Sequence, residues 1–271
     1  MEQYHKIKGK HFKEIKKEIK FIIFILTIIL ILSIVYIIND YMDKEELIET
    51  SDLLNSIEIE ENRIATDIDI SEPIKTERML QVEKLQEQNE DIVGWIEIEG
   101  TNINYPVLQG DDNTYYMTHD YQKNKNTYGS IFLDKDYAWT IPSSNLLIYG
   151  HNLQDGTMFH DILNYKDKSY YEEHPIIRFT TADEDCEYDI ISAFYSRVYY
   201  KYEQNVFRYY YFINAETEDE YNEFIENAKE ASLYDTGKDA EYGDQLITLS
   251  TCSYHTEDGR FAVVAKKINN N

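Results

Sequence analysis

The chain has 271 residues, 26 of them basic against 51 acidic, for a formal net charge of −25, and it carries two cysteines. A surface this acidic repels nucleic acid and anionic lipid headgroups, which argues against a binder of either. Two cysteines do not build a disulfide scaffold, and solubility accounts for the charge without implying a partner.

Residues 21–38 form a run of 18 without a charge. At about 1.5 Å per helical residue this nearly matches the apolar thickness of a bilayer. Before it stand Lys6, Lys8, Lys10, Lys13, Lys16, Lys17 and Lys20 against Glu2, Glu14 and Glu18, so the N-terminus is expected to stay cytoplasmic and the remainder to be exported. A cleavable signal peptide is the competing reading, but its apolar core is usually ~7–15 residues and ends in small residues. The stretch Tyr36-Ile37-Ile38-Asn39-Asp40-Tyr41 offers no such site. The expected layout is therefore a basic cytoplasmic segment at 1–20, a single-pass membrane anchor at 21–38, an acidic stalk at 39–70 and an extracellular domain at 71–271. The stalk carries only partial helical spacing, at Leu47, Leu54 and Ile57. A helix is expected to open near Ser71 and Pro73 and to present Met79, Val82 and Leu85 on one face.

From Val93 onward the pattern changes to short strands separated by turn residues. Residues 95–99 alternate apolar and polar, Gly100 breaks them, and 103–108 resumes with Pro106, which suggests an edge strand. Further strands are expected at 130–133, 145–149, 176–181, 188–199, 245–251 and 261–267. Eight such runs point to a closed or nearly closed β-barrel. One helix interrupts the last strands: Thr217-Glu218-Asp219-Glu220 fits a capping box, and Tyr221, Phe224, Ile225 and Ala228 follow on one face. Its expected role is to cover a barrel opening.

The two cysteines differ. Cys186 lies in the polar, turn-like stretch Ala182-Asp183-Glu184-Asp185-Cys186-Glu187, and nothing in the spacing requires a bridge to Cys252. Cys252 ends the strand-like run Gln245-Leu246-Ile247-Thr248-Leu249-Ser250-Thr251, and Arg260 opens the next. Catalytic groups tend to sit at strand ends held by a rigid sheet. A thiol with an ordinary pKa near 8.5 is mostly protonated at neutral pH, so a reactive Cys252 calls for a basic partner. His151 is the best placed, because Leu146-Leu147-Ile148-Tyr149-Gly150 reads as a buried strand ending in glycine just before it. His119, His160 and His174 stand in polar, turn-rich or helical contexts and read as surface residues, and His255 is only three residues from the thiol. Arg260 supplies a cation suited to an oxyanion, with a snorkelling strand-end arginine as the plainer alternative.

These residues resemble the sortases, cysteine transpeptidases of the Gram-positive cell surface. Thr248-Leu249-Ser250-Thr251-Cys252 matches the family's TLxTC signature, Arg260 follows it, and His151 lies in Ile148-Tyr149-Gly150-His151-Asn152. Asp91-Ile92-Val93-Gly94-Trp95-Ile96, Tyr105-Pro106-Val107-Leu108-Gln109, Asp112-Asn113-Thr114-Tyr115-Tyr116-Met117, Gly129-Ser130-Ile131-Phe132-Leu133-Asp134 and Asp155-Gly156-Thr157-Met158-Phe159 are similar to class B members. The resemblance implies a mainly β fold: an eight-stranded sortase-type barrel with N-terminal helices and an inserted helix before the cysteine strand. It implies catalytic roles for Cys252, His151 and Arg260, and a peptide groove lined by Asn113, Met117, Tyr149, Ser250 and Thr251. The implied reaction cleaves a C-terminal sorting motif of secreted proteins through a Cys252 thioester and transfers the product to an amine of a cell-wall precursor. No cofactor is expected and no metal is assigned to the acidic surface. Two alternatives remain at this stage: a pilin-polymerising enzyme using a lysine acceptor, and a non-catalytic anchored binding module on the same barrel.

Overall fold

Apolar residues at every second position, or in short continuous runs bounded by glycine and asparagine, produce strands. The computed structural model, which describes residues 24–42, 44 and 75–269, contains eight of them. The chain divides into an N-terminal unit ending at Glu49 and a second unit from Thr50 onward. In the first, helix α1 spans Phe24–Met42, 19 residues long and apolar enough to cross a membrane, with its side chains exposed. It continues beyond Ile38, so the first residues assigned to a stalk are helical. The basic segment, most of the stalk, and Ser71 and Pro73 lie outside the described residues.

The second unit opens with α2 (Glu77–Gln86), capped by Thr76, whose Oγ1 accepts from the Met79 amide at 3.3 Å. Met79, Val82 and Leu85 are buried at the helical spacing. There follow β1 (Ile92–Glu97), β2 (Asn104–Leu108), β3 (Ile131–Leu133), β4 (Asn145–Gly150), α3 (Lys168–Glu173), β5 (Ile176–Thr180), β6 (Asp185–Arg197), α4 (Glu218–Ala231), β7 (Leu246–Cys252) and β8 (Gly259–Lys267). The strand order is β1-β2-β3-β4-β7-β8-β6-β5, and β5 pairs with β1, so the barrel is closed. Six neighbouring pairs are antiparallel, whereas β2–β3 and β4–β7 are parallel. Parallel strands need long crossovers, and between β4 and β7 the chain makes two further strands and two helices before it returns.

Three local expectations are corrected. β2 is an interior strand: Pro106 pairs with Trp95 of β1, and the ladder to β3 begins only at Val107, so the missing N–H of proline costs that ladder nothing. Cys186 sits in β6 opposite Phe179 rather than in a turn, and both cysteines are free thiols. α4 packs Tyr221, Phe224, Ile225 and Ala228 against a strand face formed by Leu147, Ile191, Phe194, Leu246, Ala262 and Val264, where an opening was expected. Its cap is also shifted: Thr217 Oγ1 accepts from the Glu220 amide at 3.3 Å, but the Glu220 carboxylate accepts from the Glu216 amide at 2.8 Å.

Phe224 anchors this packing, its ring stacked on Phe212 with centroids 4.0 Å apart. Phe224→Ala removes a buried ring that the rigid sheet behind cannot replace. The expected loss is about 3–5 kcal/mol of unfolding free energy, read from urea unfolding.

Candidate active site

The site is built where β4 and β7 end. Their parallel register pairs Tyr149 with Ser250 and Gly150 with Thr251, so His151 and Cys252 each stand one residue past the last pair, at the same end of the barrel. The β7–β8 hairpin then sets Arg260 directly opposite Cys252. Side chains of directly opposed residues share one face, which brings thiol and guanidinium to the same side of the sheet.

Gly150 permits the exit of β4. A Cβ there would come within 2.4 Å of Ile131 Cδ1 and 2.6 Å of the Phe159 ring. After it the chain leaves β7: the His151 carbonyl accepts from the Phe159 amide at 2.8 Å, and Asn152 bridges to Met158. The His151 ring is oriented by Nε2, 2.8 Å from the Met117 carbonyl. A carbonyl only accepts, so Nε2 carries a hydrogen, and Nδ1 is left as the nitrogen that can exchange a proton.

Met117 is itself held firmly. It ends a short 3-10 helix, Tyr115–Met117. The hydroxyl of buried Tyr116 donates to Asp91 Oδ2 at 2.5 Å and accepts from Asn89 Nδ2 at 3.3 Å. Gly129, at φ +62°, passes so close that a Cβ would meet the Met117 carbonyl oxygen at 2.6 Å. Burial raises the Asp91 carboxyl, but hydrogen bonds from Tyr116 and Lys123 outweigh it, and the net pKa lies below the ordinary value.

Cys252, His151 and Arg260 line one pocket of about 220 Å³, and Asn113, Met117, Tyr149, Ser250 and Thr251 line it as well. Every residue expected at the site therefore converges there. Most of the polar ends are already engaged within the protein. Asn113 Nδ2 and the Tyr149 hydroxyl both donate to Asp134 Oδ2, at 2.8 and 3.0 Å. The Thr251 hydroxyl donates to the Gly150 carbonyl at 2.8 Å, and Ser250 Oγ lies 2.7 Å from the Tyr209 hydroxyl. Burial, reinforced by Asp134, pushes the Tyr149 phenol far up, and burial raises Tyr209 against the opposing effect of Ser250. Both rings are neutral walls. Arg260 Nη1 donates to the Gly259 carbonyl at 2.9 Å, which turns the guanidinium with its own hairpin. The pocket thus offers apolar and aromatic surface around a thiol, an imidazole and a cation.

The other histidines among the described residues are placed elsewhere. His119 stacks on Tyr115 and bonds the Tyr115 carbonyl, His174 bonds the Glu99 carbonyl, and His255 bonds Ser253 and packs on Tyr195. His160 is not the surface residue expected: it is half-buried, with Nδ1 2.9 Å from Asn152 Oδ1. Val198, Tyr209 and Tyr210 also line the pocket. They come from the segment between β6 and α4, and no sequence signal separates those two rings from the other tyrosines of a chain that holds 25. Among the described residues no cluster suited to a metal ion occurs.

Comparison with known proteins agrees with this fold. The family model for the sortase domain matches residues 96–268. Sortase B of Listeria monocytogenes is 33% identical over 190 residues, 69% of this chain and 74% of the relative. The structure of a Staphylococcus aureus sortase B–substrate complex superposes with a TM-score of 0.62 at 33% identity, covering 71% of this chain and 87% of that one. A sortase B complexed with triglycine gives a TM-score of 0.63 at 33% identity, with 71% and 87% covered.

Two outcomes test the supports of the pocket. Gly150→Ala forces Ile131 and Phe159 apart and is expected to cost about 1–3 kcal/mol in denaturant unfolding. Asp91, with its pKa lowered in the fold, stabilises the protein above the ordinary carboxylate range and loses that contribution as pH falls through the depressed value. Asp91→Asn should therefore flatten the acid limb of thermal midpoints measured from about pH 6 to about pH 3.

Proposed function

The chain belongs to the sortase family, whose class B members it matches, and we propose that it is a membrane-anchored enzyme that cleaves a C-terminal sorting motif of exported proteins and joins them to an amine of a cell-wall precursor. Sortases are cysteine transpeptidases, and the fold is theirs. The observation that most supports the residue roles is the direct cross-strand pairing of Cys252 with Arg260, on a pocket whose wall also carries His151.

In this reading the Cys252 thiol gives its proton to His151, and Sγ attacks the backbone carbonyl of the threonine in the sorting pentapeptide. Negative charge grows on the carbonyl oxygen, and Arg260 stabilises it from the neighbouring strand. As the tetrahedral intermediate collapses, the C–N bond breaks and His151 protonates the leaving amine. Since Nε2 is held by the Met117 carbonyl, Nδ1 is the nitrogen that exchanges this proton. The acceptor amine then attacks the thioester, His151 takes its proton, and the thiol is restored. Asn113, Met117, Tyr149, Ser250 and Thr251 shape the peptide groove through their surfaces, because most of their polar ends are already engaged in the fold.

The apolar helix α1 supports single-pass anchoring. With the lysine-rich segment before it, the proposed layout has residues 1–20 in the cytoplasm, an anchor based on 21–38, a stalk over 39–70 and a catalytic domain at 71–271 outside the cell. The sorting proteins are the donor partners and the bilayer holds the enzyme near them. The relatives complexed with substrate and with triglycine support a peptide donor and an amine acceptor.

Incubation with fluorogenic sorting peptides is expected to leave an acyl adduct on Cys252, captured as a thioester by mass spectrometry. Cys252→Ala should form none. His151→Ala should slow turnover by about 10²–10⁴, and Arg260→Ala by about 10²–10³. Peptide cleavage by Cys252→Ala at the wild-type rate would sink the assignment. Anchoring predicts that the full chain stays with membranes through an alkaline carbonate wash, and release into the soluble fraction counts against it.

A further inference from the structure

The ladder that aligns β4 and β7 stops one residue too early to fix the chemistry. Its last pair is Gly150 with Thr251. Beyond it, His151 and Asn152 turn to pair with Met158 and Phe159, so no further rung of that ladder joins β4 to Cys252. A side chain replaces it. Asn152, 8% exposed, directs Nδ2 at the Cys252 carbonyl at 3.1 Å. Its Oδ1 lies 2.9 Å from His160 Nδ1.

The hydrogen-bond pattern determines these orientations. The Cys252 carbonyl only accepts, so the atom facing it is the amide nitrogen, and the amide oxygen then faces His160. His160 must carry its hydrogen on Nδ1. Rotating the Asn152 amide by half a turn would set oxygen against oxygen and N–H against N–H. His160 in turn starts the 3-10 helix His160–Lys166, which carries fully buried Ile162 and Tyr165. A rigid element is thus tied, through one imidazole and one amide, to the main chain of the cysteine.

We propose that Asn152 is a positioning residue for the nucleophile, held in its working rotamer by His160. The inference rests on the proposed role of Cys252 and adds to it. Cys252 is paired on its other flank with Arg260 of β8, so Asn152 supplies the matching restraint from the His151 side. Attack on a carbonyl requires alignment within a fraction of an ångström, and a small displacement of the sulfur costs rate without altering the groove that binds the peptide. The effect therefore belongs in kcat and not in KM.

The test uses the full-length chain in detergent, with a fluorogenic sorting peptide that wild type cleaves. Asn152→Ala is expected to lower kcat by about 10- to 100-fold, with KM within about twofold. Asn152→Asp should lose at least as much, since it sets an oxygen against the Cys252 carbonyl. His160→Ala should lose less, and His160→Gln, which keeps a side-chain N–H for Asn152, should recover most of the rate. A second readout is independent of turnover: the carbonyl ¹³C resonance of labelled Cys252, in a Cys186→Ser background. It should move in Asn152→Ala and in His160→Ala and return in His160→Gln. Wild-type kcat in Asn152→Ala overturns the proposal, as does a loss carried by KM or an unmoved Cys252 resonance. If wild type forms no thioester while the resonance shifts as described, the reaction assigned to Cys252 has failed and the Asn152 restraint stands.

Discussion

The parallel contact between β4 and β7 is the constraint from which the site follows. It joins Asn145–Gly150 to Leu246–Cys252 in one register, and that register alone brings the imidazole strand and the thiol strand out at the same mouth. At its far end, Thr248 Oγ1 donates to Asn145 Oδ1 at 2.9 Å, both residues wholly buried, and Asn145 Nδ2 donates to the Phe212 carbonyl at 2.8 Å. A slip by one residue would leave these groups unpaired in an apolar interior and turn every side chain to the opposite face. The buried polar pair thus sets a register that Leu146, Leu147, Ile247 and Leu249 alone would hold less strictly.

Around Cys252, His151 and Arg260 the protein uses polar atoms mainly to support one another. Asp134 gathers Asn113 and Tyr149, Ser250 meets Tyr209, and Thr251 ties back to Gly150. These three residues consequently stand against surfaces that present carbon and aromatic rings. Charges interact more strongly where solvent is displaced, so a peptide seated against these surfaces would strengthen the action of the Arg260 cation.

Much of the barrel was legible because strand alternation and glycine punctuation are local signals. The runs around Trp95, Ile131, Ile148, Ile177, Leu249 and Val263 all became strands, and the helix after Thr217 formed over the expected residues. That Cys252, His151 and Arg260 would come to one pocket was legible because each stands at a strand end, and the family resemblance pointed to the other residues that line it. What escaped depended on distant partners. Pro106 looked like an edge because local chemistry does not record that the ladder to β3 begins one residue later. Cys186 looked like a turn because its acidic neighbours conceal the pairing with Phe179. Asn152 and His160 look polar and superficial until a loop folds them against the cysteine strand. The place of α4 depends on a face assembled from four strands, which no single segment records.

The bond from Thr251 to the Gly150 carbonyl spans 101 positions, and that from Asn152 to the Cys252 carbonyl spans 100. Contacts of such sequence separation form late, after the intervening chain has been synthesised and threaded into place. A nascent polypeptide therefore carries the sulfur and the imidazole as strangers. Topology withholds their partnership until the last two strands arrive.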